Sequence, residues 1–266
     1  MMNSLWIAKT GMTAQQTKMD VVSHNLSNVS TTGYKRQNAV FEDLMYQNMR
    51  QVGSQADEQN VLPTGMHLGL GVRTVATTRN FQQGTPTESG KDMDLAVNGD
   101  GFFQVQMPDG TTAYTRDGSF SKDANGQLVT AGGYPLLDGI TVPAEATKRS
   151  ISKSGSVSVT VAGNPTPQQI GQLDTASFIN AAGLEPVGEN LYRESAASGA
   201  PQTGTPGTNN LGTVMQGFLE SSNVNVVEEL VNMIQTQRAY EMNSKAISTS
   251  DQMLAKLSQL YAILHN

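Results

Sequence analysis

The chain has 266 residues, of which 37% are hydrophobic and 6% aromatic, with 26 Gly and 13 Met. That composition supports modest cores in a segmented architecture rather than one dense core of full chain length. The formal net charge of −6 is mild and dispersed, which leaves no basic stripe for nucleic acid and no polybasic face for an anionic membrane. With no cysteine, a disulfide framework, a thiolate nucleophile and a cysteine-bound zinc are excluded. No window approaches the roughly eighteen apolar residues of a membrane span. The first residues show no basic cluster followed by an apolar run and a small-residue cleavage site, which taken alone points to the cytoplasm.

Residues 3–29 are expected to form the first helix. Leu5, Met12, Met19 and Leu26 recur at every seventh position, with Ala8, Gln15, Val22 and Val29 three residues after each. Asn3 or Ser4 can cap this helix, Gly11 is its one weak helix former, and it should end around Ser30, Thr31, Thr32 and Gly33. Residues 34–46 resume with Val40, Phe41, Leu44 and Met45, a pattern that a short second helix and an extended arm both fit. Residues 47–63 turn polar and rich in Gln and Asn, a loop long enough to need a reason. Leu70, Val72 and Val75 then mark an extended segment.

The sequence is β in character from about Met93. An apolar run over residues 102–107, the turn Pro108, Asp109, Gly110 and the alternating residues 111–116 predict a hairpin. Asp117-Gly118, Asn125-Gly126 and Gly132-Gly133 follow at short intervals, and Leu128, Val129, Tyr134, Leu136 and Leu137 supply buried faces. Many short strands with glycine turns predict a compact antiparallel sandwich or barrel, with further strands at 157–161 and 168–178. Residues 195–212, rich in Ser, Gly, Pro, Thr and Asn, read as a linker.

Residues 223–266 read as one long helix, capped by Asn223 or Asn225 and carrying Glu228 and Glu229 in its first turns, where the helix dipole favours negative charge. Val226, Met233, Tyr240, Ile247, Leu254 and Tyr261 repeat at every seventh position, with Ala239, Ala246, Met253 and Leu260 as a second row. The opposite face is neutral and polar, with Gln235, Gln237, Asn243, Ser244, Gln252 and Gln259. Such sustained heptads call for helical partners. The expected fold is therefore multi-domain α+β: N- and C-terminal heptad helices packed as a coiled-coil-like layer, an extended connecting region, and a central all-β domain of antiparallel strands.

Catalytic chemistry finds little footing. Asp92, Asp94 and Asp100 lack the spacing of a calcium loop, and the three histidines, His24, His67 and His265, are scattered without the pairing a metal site needs. There is no Gly-x-Ser-x-Gly elbow, and the Gly69/Gly71 and Gly99/Gly101 pairs open no helix that could cradle phosphate. No catalytic residue, metal ligand or cofactor is assigned.

Two motifs at opposite ends carry a resemblance. The run Asn25, Leu26, Ser27, Asn28, Val29, Ser30, Thr31, Thr32, Gly33, Tyr34, Lys35 resembles the N-terminal signature of bacterial flagellar rod and hook proteins. Glu228 to Ile234, continuing through Gln237, Arg238, Ala239, Tyr240 and Glu241, is similar to the other end of the same family. The central residues 98–103 and 114–120 also look like it, and residues 4–11, 188–192 and 221–226 look most like its distal-rod members. Residues 46–63 are similar to a segment that distal-rod subunits carry and most hook proteins lack.

The resemblance implies a structural axial subunit without enzymatic activity. Its copies would form a helical tubular filament around an export channel, in a rod that crosses the periplasm and transmits torque. It also implies neighbouring proximal-rod and hook-type proteins, surrounding basal-body rings, and export by the flagellar apparatus without a cleaved signal peptide, in place of the cytoplasmic expectation. On this reading Leu5, Met12, Met19, Val22, Leu26, Val226, Met233, Tyr240, Ile247, Leu254 and Leu260 form the assembly interface, and Asn25, Asn28, Gly33 and Tyr34 carry the family motif. Tyr46, Gln47, Arg50, Gln55, Glu58 and Pro63 belong to a candidate stiffening segment, and Gln235, Asn243, Gln252 and Gln259 to a candidate channel face. The expected division is 1–34 with 222–266 as the helical assembly domain, 35–78 with 209–221 as the connecting region, and 79–208 as the β domain with a flexible linker near 195–208. A hook or proximal-rod subunit shares this architecture. A periplasmic carbohydrate-binding or glycosidase-like β domain with oligomerising tails is the reading from a different class.

Overall fold

The structure, a computed structural model, describes residues 2–51, 55–57, 60–61, 64–162 and 164–264. The chain forms two compact units, one of residues 1–26, 37–78 and 226–266, the other of residues 27–36 and 79–225. With helices at both ends and antiparallel strands between them, it has the α+β layout expected from the heptads and the turn spacing.

The first unit holds both terminal helices, α1 (Met2–Ser27) and α2 (Val226–Leu264), of 26 and 39 residues. Helix α1 buries Ala8, Ala14, Val21, Val22 and Asn25, and α2 buries Glu229 and Thr236. Ala8 and Val22 belong to the second heptad row of α1, while its first row, Leu5, Met12, Met19 and Leu26, and Met233, Tyr240, Ile247 and Leu254 on α2 are half-buried, and Val226 is exposed. Gly11 shows the physical reason. A Cβ there would stand 3.1 Å from the side-chain amide nitrogen of Asn243 on α2. With the Asn243 side chain seated on this glycine, the contact admits only a small residue here, and bulkier side chains lie on the flanks.

The same unit carries a two-stranded arm. Strand β1 (Gln37–Asp43) is followed by β2 (Tyr46–Arg50), β3 (Gln55–Asp57), β4 (Asn60–Val61), β5 (Met66–Gly69) and β6 (Val72–Arg79), paired β1 with β6, β2 with β5 and β3 with β4. The pairs nest, so the region that suited either a helix or an arm is an arm, and the described part of the polar stretch 47–63 belongs to its outer ladder. The arm is fixed near its base to α1. The Asn25 carboxamide donates to the Gln37 carbonyl at 2.8 Å and accepts the Gln37 amide at 2.9 Å. Further out, Asn3 Nδ2 donates to Gln47 Oε1 at 3.1 Å. Met45, Tyr46, Met49 and Met66 are all exposed, so this ribbon has no core of its own.

The second unit is built on short strands: β7 (Pro86–Glu88), β8 (Leu95–Asn98), β9 (Phe102–Gln106), β10 (Thr112–Thr115), β11 (Ser121–Lys122), β12 (Leu128–Val129), β13 (Ala146–Ile151), β14 (Ser156–Val161), β15 (Asn164–Gln172), β16 (Thr175–Ser177), β17 (Glu185–Gly188), β18 (Leu191–Arg193), β19 (Gln202–Gly204), β20 (Thr213–Gln216) and β21 (Phe218–Glu220). Its main sheet has the order β17-β18-β10-β9-β16-β19, antiparallel throughout. The predicted hairpin is β9–β10, whose turn is closed by Met107 donating to Thr111 and by Asp109 Oδ1 accepting the Thr111 amide and hydroxyl. Both faces of the sheet are covered, as period-two side chains require. Phe103 packs with Leu95, Val97, Phe120, Leu128 and Val214, while Phe102 packs on the other side with Tyr114, Ala176, Leu184 and Tyr192. Residues 195–208, read as a linker from composition, include the edge strand β19 and a buried Ser198. Their hydroxyls bond the local backbone, as Ser195 Oγ does to Gly183 O at 2.6 Å and Thr208 Oγ1 to Thr205 O at 2.6 Å. Ser and Thr supply turn chemistry here.

Candidate assembly surface and connector cluster

The signature around Asn25 to Lys35 is a connector. It leaves α1 at Ser27, runs through the second unit as residues 27–36, and returns to the first at Gln37. Each motif residue has a physical task. Asn25 is 1% exposed and holds Gln37 as described. Asn28 closes a turn by accepting from Thr31 through both its carbonyl and its Oδ1. Gly33 has φ +67° and donates to the Glu220 carbonyl at 2.8 Å, and a Cβ on it would fall 2.6 Å from the Asp117 nitrogen. No other residue type fits there without moving backbone. Tyr34 is buried.

Behind this turn lies a cluster of buried charges. Lys35 Nζ stands 2.6 Å from Glu220 Oε1, Arg116 Nη1 stands 3.3 Å from Glu220 Oε2, and the Gly84 amide donates to Oε1 at 2.8 Å. Lys35 also donates to the Gln82 carbonyl, and Arg116 to the carbonyls of Val97 and Gly99. Burial pulls the pKa values of Lys35 and Arg116 below their ordinary positions, and Glu220 opposes that pull in both. Beside the cluster, Asn223 Oδ1 accepts the Arg36 amide at 2.7 Å while its Nδ2 donates to Asn80 O and Gln82 O. One carboxamide thus joins the segments that follow α1, follow β6 and precede α2.

The helices leave much apolar surface uncovered. Val227, Leu230, Val231 and Ile234 on α2 are 70%, 43%, 47% and 50% exposed, and Met242, Met253 and Leu257 continue the exposed set. On α1, Trp6 and Ile7 are exposed. Met253 belongs to the second heptad row of α2, but heptad counting missed the others because they fall between its rows. Their signal was the density of apolar residues at the start of α2, where Val226, Val227, Leu230, Val231, Met233 and Ile234 cover more than one face. Of the polar candidates, Gln235 and Gln252 are exposed, whereas Asn243 is half-buried against Gly11 and so faces α1. Tyr46, Gln47 and Arg50 are exposed on β2. Glu58 and Pro63 lie outside the described residues, as do the side chains of Gln55, Gln259 and Leu260. Lys35 and Arg116 fall within the family-like runs 25–35 and 114–120, but their pairing with Glu220 was not expected from sequence. A lone acid after Phe218 and Leu219 in a β-like run was the available sign.

Comparison with known proteins gives the family. Three family models match along the chain: "Flagella basal body rod protein" at residues 5–35, "Flagellar hook protein FlgE/F/G D1 domain" at 96–159, and "Flagellar basal body rod FlgEFG protein C-terminal" at 215–260. The chain is 58% identical to the flagellar basal-body rod protein FlgG of Buchnera aphidicola subsp. Schizaphis graminum, over 98% of this chain and 100% of that one. It is 48% identical to FlgG of Caulobacter vibrioides, over 97% and 99%, and 38% identical to FlgG of Bacillus subtilis, over 98% and 99%. A likeness of this depth, running from one terminal helix to the other, means that the chain belongs to the flagellar basal-body rod protein FlgG family.

Proposed function

We propose that the chain is a structural subunit of the distal part of the flagellar rod, whose copies self-assemble through their terminal helices into a rigid hollow shaft around an export channel. The observation that carries this reading is the exposed apolar run Val227, Leu230, Val231 and Ile234 on a helix whose other face is already in use. Covering such surface with neighbouring helices gains about 25 cal/mol per Å² of apolar area, and the gain repeats with every copy. The half-buried flanks Leu5, Met12, Met19 and Leu26 supply further area for the same contact.

The exposed Gln235 and Gln252 are assigned to the channel wall, because neutral amides offer little grip to a passing unfolded chain. The arm, including Tyr46, Gln47 and Arg50, is assigned to bridging neighbours and resisting bending. Proximal-rod and hook-type proteins at the ends, the surrounding rings and the export apparatus are the partners this role entails. The test is assembly itself: purified protein should form tubular filaments visible by electron microscopy, with α2 of one copy against helices of the next. Protein that stays monomeric at every concentration and salt condition rejects the proposal.

A further inference from the structure

The sequence contains two Asn-Gly pairs, Asn98-Gly99 and Asn125-Gly126. Such a pair is prone to cyclise, because a glycine nitrogen has no Cβ beside it to obstruct approach to the preceding carboxamide. The glycine nitrogen attacks the asparagine Cγ and forms a bond to it. The side-chain nitrogen leaves as ammonia, carrying the proton that the glycine nitrogen gave up. Water then opens the succinimide at either carbonyl and leaves aspartate or isoaspartate. Asn98 and Asn125 are both exposed, so water reaches either one.

The two pairs are restrained differently. At Asn125 the restraint stays within the turn: the Asp123 carbonyl accepts the Gly126 amide at 3.1 Å, and the Asp123 carboxylate accepts the Asn125 amide and Nδ2 at 2.9 and 3.1 Å. At Asn98 it comes from 16 residues away. The Gly99 amide, whose nitrogen would attack, donates to Gln83 Oε1 at 3.0 Å. Gln83 Nε2 in turn donates to the Val97 carbonyl at 3.2 Å, which seats the carboxamide on β8, and it lies 3.4 Å from Asn98 Oδ1. Cyclisation needs the reacting atoms in contact with their orbitals aligned. Gly99 can reach that geometry only by giving up its bond to Gln83.

We propose that Asn98 is a deamidation site held shut by Gln83. The site matters because it adjoins the buried charge cluster. Arg116 donates to the carbonyls of Val97 at 3.2 Å and Gly99 at 2.7 Å, one on each side of Asn98. Isoaspartate at position 98 adds a methylene to the backbone between those two carbonyls and so displaces an acceptor of a buried guanidinium. The lock exists only while the segment bearing Gln83 lies on β8, so it protects the folded chain and not the unfolded one.

The test follows aspartate and isoaspartate at positions 98 and 125 by peptide mass spectrometry while full-length protein stands at mildly alkaline pH. Asn125 is the internal reference. Gln83→Ala and Gln83→Met remove the acceptor at an exposed position. Each is expected to raise the rate at Asn98 about tenfold and to leave the rate at Asn125 unchanged. Wild-type chain unfolded in urea should react at both positions. An unchanged rate at Asn98 in both variants, or a folded wild-type rate there equal to that of the unfolded chain, overturns the proposal. A rise of equal size at both asparagines reports a loosened fold in place of a lost lock, and overturns it too.

Discussion

Lys35 Nζ lies 2.6 Å from Glu220 Oε1 with both side chains 1% exposed, although 185 residues separate them in the chain. A buried ion pair need not add net stability, because desolvation offsets attraction, but removing one partner strands the other charge. Glu220→Ala would leave Lys35 and Arg116 facing each other with only the weaker influence of Asp100 to oppose their charge. It should cost the second unit about 3–5 kcal/mol in urea unfolding. Lys35→Met should cost clearly less, since Arg116 and the Gly84 amide still serve the carboxylate. Equal losses from the two would show that the charges are not coupled as described.

Gly33 and Gly90 have nearly the same backbone, with φ of +67° and +70°, but different surroundings. A Cβ on Gly33 would strike the Asp117 and Arg116 backbones at 2.6 and 2.7 Å, while one on Gly90 meets nothing within 4 Å. Gly90→Ala should therefore cost only the left-handed strain of about 1 kcal/mol, and Gly33→Ala at least about 2 kcal/mol more. Thermal melts of the two variants compare them directly.

Asp138 is partly buried, and burial raises its pKa to about 6, with Asp174 adding to the rise and the Asp174 amide opposing it. The folded chain keeps this proton where the unfolded chain has released it. The associated stability is therefore complete below the unfolded pKa and is lost as pH rises through about 6. Asp138→Asn should stabilise the protein at pH 7.5 by about 1 kcal/mol, a figure reduced for the partial exposure of the group, and should bring no gain near pH 4. Melting curves at the two pH values check the sign. A gain of the same size at both would rule out titration as its source.

Val231 and Ile234 are about half exposed in the single chain. Val231→Asp or Ile234→Asp should shift monomer stability by no more than about 0.5 kcal/mol. In sedimentation, however, either variant should lose most of its polymer. Normal polymer yield from both would remove this face from the assembly surface.

The helices and the β domain were legible in the sequence because each depends on local rules. Heptads mark α1 and α2, and Asp109-Gly110 marks the β9–β10 turn. The phase of the helix seam was legible only in part: Ala8 and Val22 of the second heptad row are buried, whereas Leu5 and Met12 of the first row are half-buried and the buried Ala14 and Val21 lie in neither row. The outer arm was hidden for another reason: its strands are paired but uncovered, so β2 has no apolar alternation to announce it. The charge cluster joins residues 35, 116 and 220, and no short-range pattern could associate them. The serines and threonines of residues 195–208 were read as slack chain because composition does not distinguish unused hydroxyls from hydroxyls that bond backbone.

The methionines of the arm have a further consequence. Met45, Met49 and Met66 present 83%, 61% and 53% of their surface to solvent on a ribbon that has no fixed packing of its own. A thioether chain turns about three bonds and fills irregular gaps at little cost in shape. An arm faced with leucine or isoleucine would mate well with one contour only, whereas this one can conform to neighbours that differ in outline. In the proposed filament, where the series of copies ended, the adjoining surface would no longer be a copy of the chain, and a compliant contact would let the series change composition without a break in its packing.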